Sequence, residues 1–128
     1  MILIIDDEPD ICWMLEHILD KRGLKHSGAL NGNDALALMK NHQFKMAFLD
    51  AKLPDIEGLD LASQMLDIDT EIQIYLVSGF YYKEDSVVRK AFLEGIIKGF
   101  ISKPFDHDEI NGTINEVLAP KKTHQGKA

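Results

Sequence analysis

Short apolar runs alternate with amphipathic stretches along the chain. Two of the runs, residues 2–5 and 46–49, are continuous and end directly at an aspartate. Such runs are typical of strands that are buried on both faces of a sheet. Weaker or shorter runs predict three further strands over residues 25–30, 72–77 and 99–102, each followed by turn-forming residues. The pattern therefore predicts five strands.

The stretches between these runs predict helices. The first helix is indicated by an apolar stripe at i, i+3, i+4 and i+7, formed by Ile11, Met14, Leu15 and Ile18. It is expected to end near Gly23. Comparable stripes follow the other four strands, at Ala35, Leu36, Leu38 and Met39, at Leu59, Ala62, Met65 and Leu66, at Val87, Val88, Ala91 and Phe92, and at Ile110, Ile114, Val117 and Leu118. We expect Asn33 or Asp34 to cap the second helix and Asp106 or Asp108 to cap the last.

Strict alternation of strands and helices predicts the fold class. It implies an α/β fold with a five-stranded parallel sheet, right-handed crossovers and helices on both faces. The 128 residues suit a single domain. We expect that domain over residues 1–118, and we expect residues 119–128 to be a flexible tail or the stub of a linker.

Composition and charge mainly exclude certain functions and kinds of site. Lys and Arg total 14 against 21 Asp and Glu, giving a formal net charge of -7, so binding of this domain to a nucleic-acid backbone is disfavoured. The single cysteine, Cys12, rules out an intrachain disulfide and a cysteine-rich zinc site. The sequence has neither the pattern of a signal peptide nor that of a membrane span, so a soluble, cytoplasmic protein is expected.

Polar side chains follow four of the predicted strands at the point where each strand ends. Asp6 and Asp7 follow the first strand, Asp50 ends the third, Ser78 follows the fourth and Lys103 follows the fifth. Each residue alone is ordinary, as a helix cap, a turn former or a surface charge. Because the carboxyl ends of parallel strands share one edge of a sheet, we expect all five side chains to converge there.

The charges of this set indicate its chemistry. Two like charges about 4 Å apart repel by roughly 4 kcal/mol at an effective dielectric constant near 20. Three aspartates at one edge must therefore keep a proton or recruit a cation. Oxygen ligands with room for water suit Mg²⁺. With the ammonium of Lys103 and the hydroxyl of Ser78, such a site would hold phosphoryl oxygens next to a carboxylate nucleophile.

The motifs around these residues resemble the receiver domain of two-component response regulators. The resemblance covers nearly the whole chain, with the motifs in the family's order: Ile4-Ile5-Asp6-Asp7-Glu8-Pro9, Phe48-Leu49-Asp50-Ala51-Lys52-Leu53-Pro54 with Gly58, Val77-Ser78-Gly79 and Phe100-Ile101-Ser102-Lys103-Pro104-Phe105. It implies a flavodoxin-like (βα)5 domain with strand order 2-1-3-4-5. It also implies a signalling phosphoacceptor that promotes only its own phosphorylation and dephosphorylation, and not an enzyme that acts on other molecules.

By that resemblance, Asp50 is the phosphoacceptor. It would take a phosphoryl group from the phosphohistidine of a sensor histidine kinase or a histidine phosphotransfer protein. Asp7 would bind Mg²⁺ directly and Asp6 through water, with Asp50 and the backbone carbonyl of Lys52 completing the protein ligands. An output domain or partner, or a phosphorylation-dependent homodimer, would then read the changed surface.

The resemblance assigns the remaining motif residues to the switch. Lys103 would contact the phosphoryl group, and Ser78 would rotate to meet it. Phe100 occupies the aromatic switch position, so the surface of the fourth helix, fifth strand and fifth helix would change. Pro104 is the residue that the family often holds in a cis peptide.

The chain also departs from the family pattern. The segment between Ser78 and Lys103 is about three residues longer than the resemblance leads us to expect, so the family pattern does not predict the fourth-helix face. Lys52 is interpreted either as a second cation near the phosphoryl group or as a plain solvated lysine. The adjacent aromatics Phe80, Tyr81 and Tyr82 fit either packing over the loop or a partner-binding patch.

Two alternatives share parts of this pattern. An Mg²⁺-dependent phosphatase of the haloacid-dehalogenase type also uses an aspartate nucleophile after a strand, but it requires a second acid two residues later. Here Asp50 is followed by Ala51 and Lys52. A flavin carrier requires a phosphate-binding loop after the first strand, where Asp6 and Asp7 would repel the phosphate.

Overall fold

The computed structural model describes residues 1–118. The predicted tail, 119–128, lies outside the described residues, and the domain boundary at residue 118 stays a prediction. The elements in chain order are β1 (Ile2–Ile5), α1 (Pro9–Lys21), β2 (His26–Ala29), α2 (Gly32–Asn41), β3 (Met46–Asp50), α3 (Gly58–Ile68), β4 (Gln73–Ser78), α4 (Ser86–Leu93), β5 (Gly99–Ser102) and α5 (His107–Leu118). Within residues 1–118, no helix combines the length and the apolar character needed to cross a membrane.

The five strands form one sheet, in which every neighbouring pair is parallel and the order is β2-β1-β3-β4-β5. The predicted α/β fold and its 2-1-3-4-5 order are thereby confirmed. Ile5 is level with Ala29 and with Leu49, and Asp50 is level with Val77. The carboxyl ends of β1 and β3 consequently lie side by side where the strand order reverses, which is where such sheets bind ligands.

The sheet separates two apolar cores. In β1, Leu3 and Ile5 face the core beneath α2, α3 and α4, while Ile2 and Ile4 face the core beneath α1 and α5. Successive side chains of a strand point to opposite faces, so a strand covered on both sides needs apolar residues at every position. This double burial explains the continuous apolar runs, and each fully buried Ile or Leu adds about 1.5–3 kcal/mol to stability.

The helix ends show where local sequence rules fail. The prediction that Asn33 or Asp34 caps α2 is wrong, because the carboxamide oxygen of Asn31 accepts the N–H of Asp34 at 2.8 Å. In the first turn of α2, the backbone N–H groups of Gly32 and Asn33 donate to the carboxylate of Asp55 at 2.9 and 3.0 Å. The cap is therefore completed by a residue on a distant loop. At α5, the side chain of Asp106 accepts the N–H of Glu109 at 2.8 Å. This confirms Asp106, one of the two residues predicted to cap the last helix.

Candidate functional site

The carboxyl edge of the sheet brings together five side chains that the sequence singles out. Asp6 and Asp7 follow β1, Asp50 ends β3, Ser78 ends β4 and Lys103 follows β5. The Nζ atom of Lys103 lies 2.9 Å from Asp6 Oδ2 and 3.4 Å from Asp50 Oδ1. We call these five residues the carboxyl-edge cluster.

Three carboxylates of the cluster form one acidic group. Oxygen atoms of Asp6, Asp7 and Asp50 all lie within 4.8 Å of one another. Asp6 and Asp50 are buried, with 2% and 8% of their surface exposed, whereas Asp7 is exposed. Burial, followed by the charge of Asp6, raises the pKa of Asp50 to about 6. The acids therefore repel one another in a setting where water screens them poorly, and this favours a bound cation.

Burial also governs the pKa of Asp6. It raises the pKa of that carboxyl, although the N–H of Glu8 and the ammonium of Lys103 act in the opposite direction. The N–H of Glu8 donates to Asp6 Oδ1 at 2.9 Å, and Lys103 binds the other oxygen, Oδ2. Both carboxylate oxygens of Asp6 are thus engaged within the protein.

Lys103 supplies positive charge to the cluster. Its ammonium binds Glu8 at 2.7 Å in addition to Asp6 and Asp50. Burial alone would lower the pKa of Lys103, but the hydrogen bonds to Glu8 and Asp6 and the nearby negative charges raise it. The backbone N–H of Lys103 donates to the carbonyl of Ser78 at 2.9 Å, and the Lys103–Pro104 peptide bond is cis. The side chain is therefore a cation held at a fixed place in the cluster.

Glu8 is a partner that the sequence analysis missed. It is the last of three consecutive acids, and only the first two were assigned a role. The signal available in the sequence was the length of this acidic run, which lies at the end of a strand and at the edge of the sheet where Lys103 was also expected. Its contact with Lys103 links residues 95 positions apart in sequence.

Ser78 is almost completely buried, with 1% of its surface exposed. Its Oγ atom accepts the backbone N–H of Phe80 and that of Tyr81, each at 2.9 Å. A serine hydroxyl has two acceptor positions and one donor hydrogen, so these bonds use the acceptor capacity and leave the O–H to donate. The hydroxyl is consequently tied to the backbone of the loop that follows β4.

The side chain of Lys52 contacts Glu57 and the aromatic residues of the loop after β4. Its ammonium pairs with Glu57 at 3.0 Å and lies 4.4 Å from the centroid of the Phe80 ring. The side chain is 45% exposed, and both interpretations that the sequence left open, a second cation near the phosphoryl group and a solvated lysine, stay predictions. Glu57 and the ring of Phe80 were not foreseen as its partners.

The three adjacent aromatics differ in burial. Phe80 and Tyr82 are 62% and 71% exposed, while Tyr81 is half-buried and packs against the core beneath α2, α3 and α4. Packing over the loop therefore describes Tyr81, while Phe80 and Tyr82 are largely exposed and their place in a partner-binding patch stays a prediction.

Phe100 lies in β5 and is half-buried against the same core. It also lines a groove of about 480 Å³ beside α4, together with Val88, Phe92, Leu93 and Ile97. Through β4 and β5, which pair Leu76 with Phe100 and Ser78 with Ser102, the ring is connected to the carboxyl edge. The candidate switch aromatic thus stands between the cluster and the α4 surface.

Gly58 lies where α3 begins, directly beneath the backbone of the acidic strand end. Its N–H donates to the carbonyl of Ala51 at 2.8 Å. A Cβ atom at this position would lie 2.9 Å from Ala51 Cα and would overlap the carbonyl oxygen of Asp50. Only glycine allows α3 to approach the chain so closely and thereby fix the loop after Asp50.

Comparison with known proteins was made for the whole chain. A family model described as the response regulator receiver domain matches residues 2–115. Sporulation initiation phosphotransferase F of Bacillus subtilis is 30% identical over 120 residues, which cover 94% of this chain and 94% of that protein. Transcriptional regulatory protein ZraR of Salmonella typhimurium is 26% identical over 118 residues, which cover 92% of this chain but only 26% of ZraR.

A solved structure adds a liganded relative. Response regulator protein TrrA of Thermotoga maritima was crystallised in complex with Mg²⁺-BeF. It aligns with a TM-score of 0.79 at 25% sequence identity, covering 91% of this chain and 97% of that one. The similarity therefore extends over almost the whole of both chains.

Proposed function

The chain belongs to the response regulator receiver family, and from this membership we propose how the carboxyl-edge cluster accepts a phosphoryl group. Members of the family are signalling phosphoacceptors, and the alternative of a haloacid-dehalogenase-type phosphatase is not favoured. Receiver domains work with histidine kinases or phosphotransfer proteins and with output domains. What remains to be assigned is the role of each residue.

We propose that Asp50 is the acceptor. The observation that carries this assignment is the difference between the two buried aspartates. Both oxygens of Asp6 are engaged, by the N–H of Glu8 and by Lys103, whereas the contact of Asp50 with Lys103 involves Oδ1 alone. An Asp50 oxygen would attack the phosphorus of a phosphohistidine. The new P–O bond would form as the P–N bond breaks, and the imidazole would leave with the electron pair and take up a proton.

The acidic cluster is of the kind that binds a divalent cation, and we propose that the ion is Mg²⁺. The donor set fits, because Asp6, Asp7 and Asp50 offer hard oxygen ligands within 4.8 Å of one another. The backbone carbonyl of Lys52 would complete the protein ligands. Bound Mg²⁺ would keep the carboxylates ionised and neutralise charge on the phosphoryl oxygens.

Lys103 and Ser78 would hold the transferred group. Lys103 already contacts Asp50, and a phosphoryl oxygen would take over part of its bonding. The O–H of Ser78 would donate to another phosphoryl oxygen, drawing the loop after β4 inward. That movement would change the packing of Phe100 and therefore the surface of α4, β5 and α5.

We also propose the partners of the protein and the cellular compartment in which it acts. The phosphodonor would be a sensor histidine kinase or a histidine phosphotransfer protein in the cytoplasm. The changed surface would be read by an output domain, a separate partner or a second copy of the chain. The protein would promote only its own phosphorylation and dephosphorylation.

A labelling experiment tests the acceptor. The chain is incubated with Mg²⁺ and a small phosphodonor, reduced with borohydride, and mapped by mass spectrometry for the homoserine that forms from an aspartyl phosphate. We expect one phosphoryl group per chain, at Asp50, with little release of inorganic phosphate. The variant Asp55→Asn, which changes an exposed acid of the same loop, should label fully. Homoserine at Asp6 or Asp7 would contradict the assignment, and repeated turnover would support a phosphatase instead.

A further inference from the structure

The side chain of Lys52 connects the two loops that flank Asp50. It extends from the β3–α3 loop, where its ammonium pairs with Glu57, to the ring of Phe80 in the β4–α4 loop. We propose that this Lys52–Phe80 contact stabilises the resting position of the β4–α4 loop and so sets how readily Ser78 turns toward a phosphoryl group. The inference rests on the proposed role of Asp50.

The lysine is well anchored at its own end. Lys52 and Glu57 form an antiparallel backbone bridge, and their side chains form an ion pair at 3.0 Å. Glu57 precedes the first residue of α3, Gly58, whose close backbone approach fixes the loop. The ammonium is therefore presented from a position that the helix holds in place.

The aromatic end of the contact is attached to the core. The rings of Phe80 and Tyr81 meet edge to face with centroids 4.9 Å apart, and Tyr81 packs against the core beneath α4. The Lys52 ammonium is 4.4 Å from the Phe80 centroid and 5.9 Å from that of Tyr81. Both distances lie within the range in which a cation is attracted to the face of an aromatic ring.

The same two aromatic residues hold the hydroxyl of Ser78. Their backbone N–H groups both donate to Ser78 Oγ, at 2.9 Å each. Ser78 cannot move toward Asp50 unless these bonds break or residues 80 and 81 move with it. The first change costs two hydrogen bonds, and the second displaces the Phe80 ring from Lys52, so by opposing the second the contact favours the resting arrangement over the phosphorylated one.

A double-mutant cycle isolates the contact. Phe80→Leu keeps the apolar bulk and changes no charge, and Lys52→Met keeps the apolar stem but removes the ammonium. An exposed cation–π contact corresponds to about a two- to five-fold change in an equilibrium constant. We therefore expect Phe80→Leu to tighten the binding of beryllofluoride, a phosphoryl mimic, by about two- to five-fold, as a shift in population predicts. In the Lys52→Met background, Phe80→Leu should have no effect.

Two matched controls accompany the cycle. Lys45→Met removes an exposed lysine before the opposite end of β3, and Tyr82→Leu replaces an exposed ring of the same loop. Neither should change beryllofluoride affinity. An equal effect of Phe80→Leu in both backgrounds, or no effect in the wild type, would overturn the inference. So would weaker binding that follows loss of the ammonium alone without any dependence on Phe80, because Lys52 would then act directly on the anion.

A second measurement needs no phosphoryl mimic. In the free protein, Phe80→Leu and Lys52→Met should move the amide resonances of residues 79–82 in the same direction. The double variant should move them no further than either single variant. Independent shifts would refute the contact's role even if the proposed function held. Absence of both phosphorylation and beryllofluoride binding in the wild type would instead refute the proposed function, leaving the amide test of the contact intact.

Discussion

Asp50 ends β3 and Asp55 lies five residues later, in the loop before α3, yet their surroundings shift the pKa values of the two carboxyls in opposite directions. Asp50 is buried beside Asp6 and Asp7, and its pKa is raised to about 6, first by burial and then by the charge of Asp6. Asp55 is exposed and accepts the N–H groups of Gly32 and Asn33 at the start of α2, and the first of these bonds is the main reason that its pKa is lowered.

The contrast separates an acid whose charge weakens the native state from an acid whose charge supports it. A helix N-terminus favours a carboxylate, so ionised Asp55 stabilises the native state. Asp50 gains no such support beyond Lys103, and its ionised form weakens the native state until a cation joins the cluster. Both residues are aspartates, but their surroundings give the two ionised carboxylates opposite effects on the stability of the native state.

Substituting the buried acid should have the largest effect. Asp50→Asn removes the proposed acceptor and should abolish phosphorylation, and it also removes a repelling charge. Without metal at pH 7 we expect the variant to be more stable by on the order of 3 kcal/mol, the equivalent of a pKa raised from 3.8 to about 6. Urea unfolding of both proteins in a chelating buffer measures this difference.

The gain should depend on pH in a defined direction. Between about pH 4 and pH 6 the folded wild type binds more protons at Asp50 than the unfolded chain does, so its stability falls as pH rises through this window. The advantage of Asp50→Asn should therefore disappear below about pH 4. An advantage that is the same at pH 3.5 and pH 7 would show that repulsion at Asp50 is not its source.

Metal addition should produce the next largest effect. If, as proposed, Mg²⁺ binds the folded acidic cluster and not the unfolded chain, then at about ten to one hundred times its dissociation constant it should stabilise the wild type by roughly 1.4–2.7 kcal/mol. Asp7→Ala should lose most of this gain, and Asp55→Ala should keep it. Thermal melts with and without Mg²⁺ provide the measurement, and equal Mg²⁺ affinity in the Asp7 variant by calorimetry would remove Asp7 from the ligand set.

The smallest effect is expected at the exposed acid. Asp55→Ala removes the acceptor of two N–H groups of α2 and should lower the melting temperature by a few degrees at pH 7. Because the pKa of Asp55 is lowered in the folded protein, its contribution is present at neutral pH and is lost as pH falls below about 4. The sign is opposite to that at Asp50, so a loss that grows toward low pH would contradict this account.

More of the fold than of the candidate site could be predicted from the sequence. Strands buried on both faces leave continuous apolar runs, so β1 and β3 and the acids at their ends could be located. The partners of the charged groups could not: nothing local distinguishes Asp55 or Glu57 from other exposed acids, and the acidic run that ends in Glu8 does not show which cation Glu8 binds. Their roles depend on Lys103, on the start of α2 and on Lys52, which only the folded chain brings near.

Element boundaries and helix faces show the same limit. β2 and β4 are His26–Ala29 and Gln73–Ser78, against predictions of 25–30 and 72–77. In α4 the predicted apolar stripe is wider than the buried face, since Val88 and Ala91 are buried while Val87 and Phe92 are 42% and 55% exposed. Apolar spacing predicts which side a helix presents, but it does not predict how much of that side is covered.

The reactivity of the single cysteine of the chain can report on movements of α1. Cys12 is buried in the core beneath α1 and α5, and its thiol donates to the carbonyl of Asp6 at 3.2 Å. Burial raises the pKa of the thiol to about 11, so little thiolate exists near neutral pH. Because only 9% of the Cys12 surface is exposed, a thiol reagent should react faster when α1 moves away from the sheet, and the labelling rate then reports on this movement. Since the bonded carbonyl belongs to a cluster aspartate, occupation of the cluster should slow the labelling of Cys12, six residues farther along the chain.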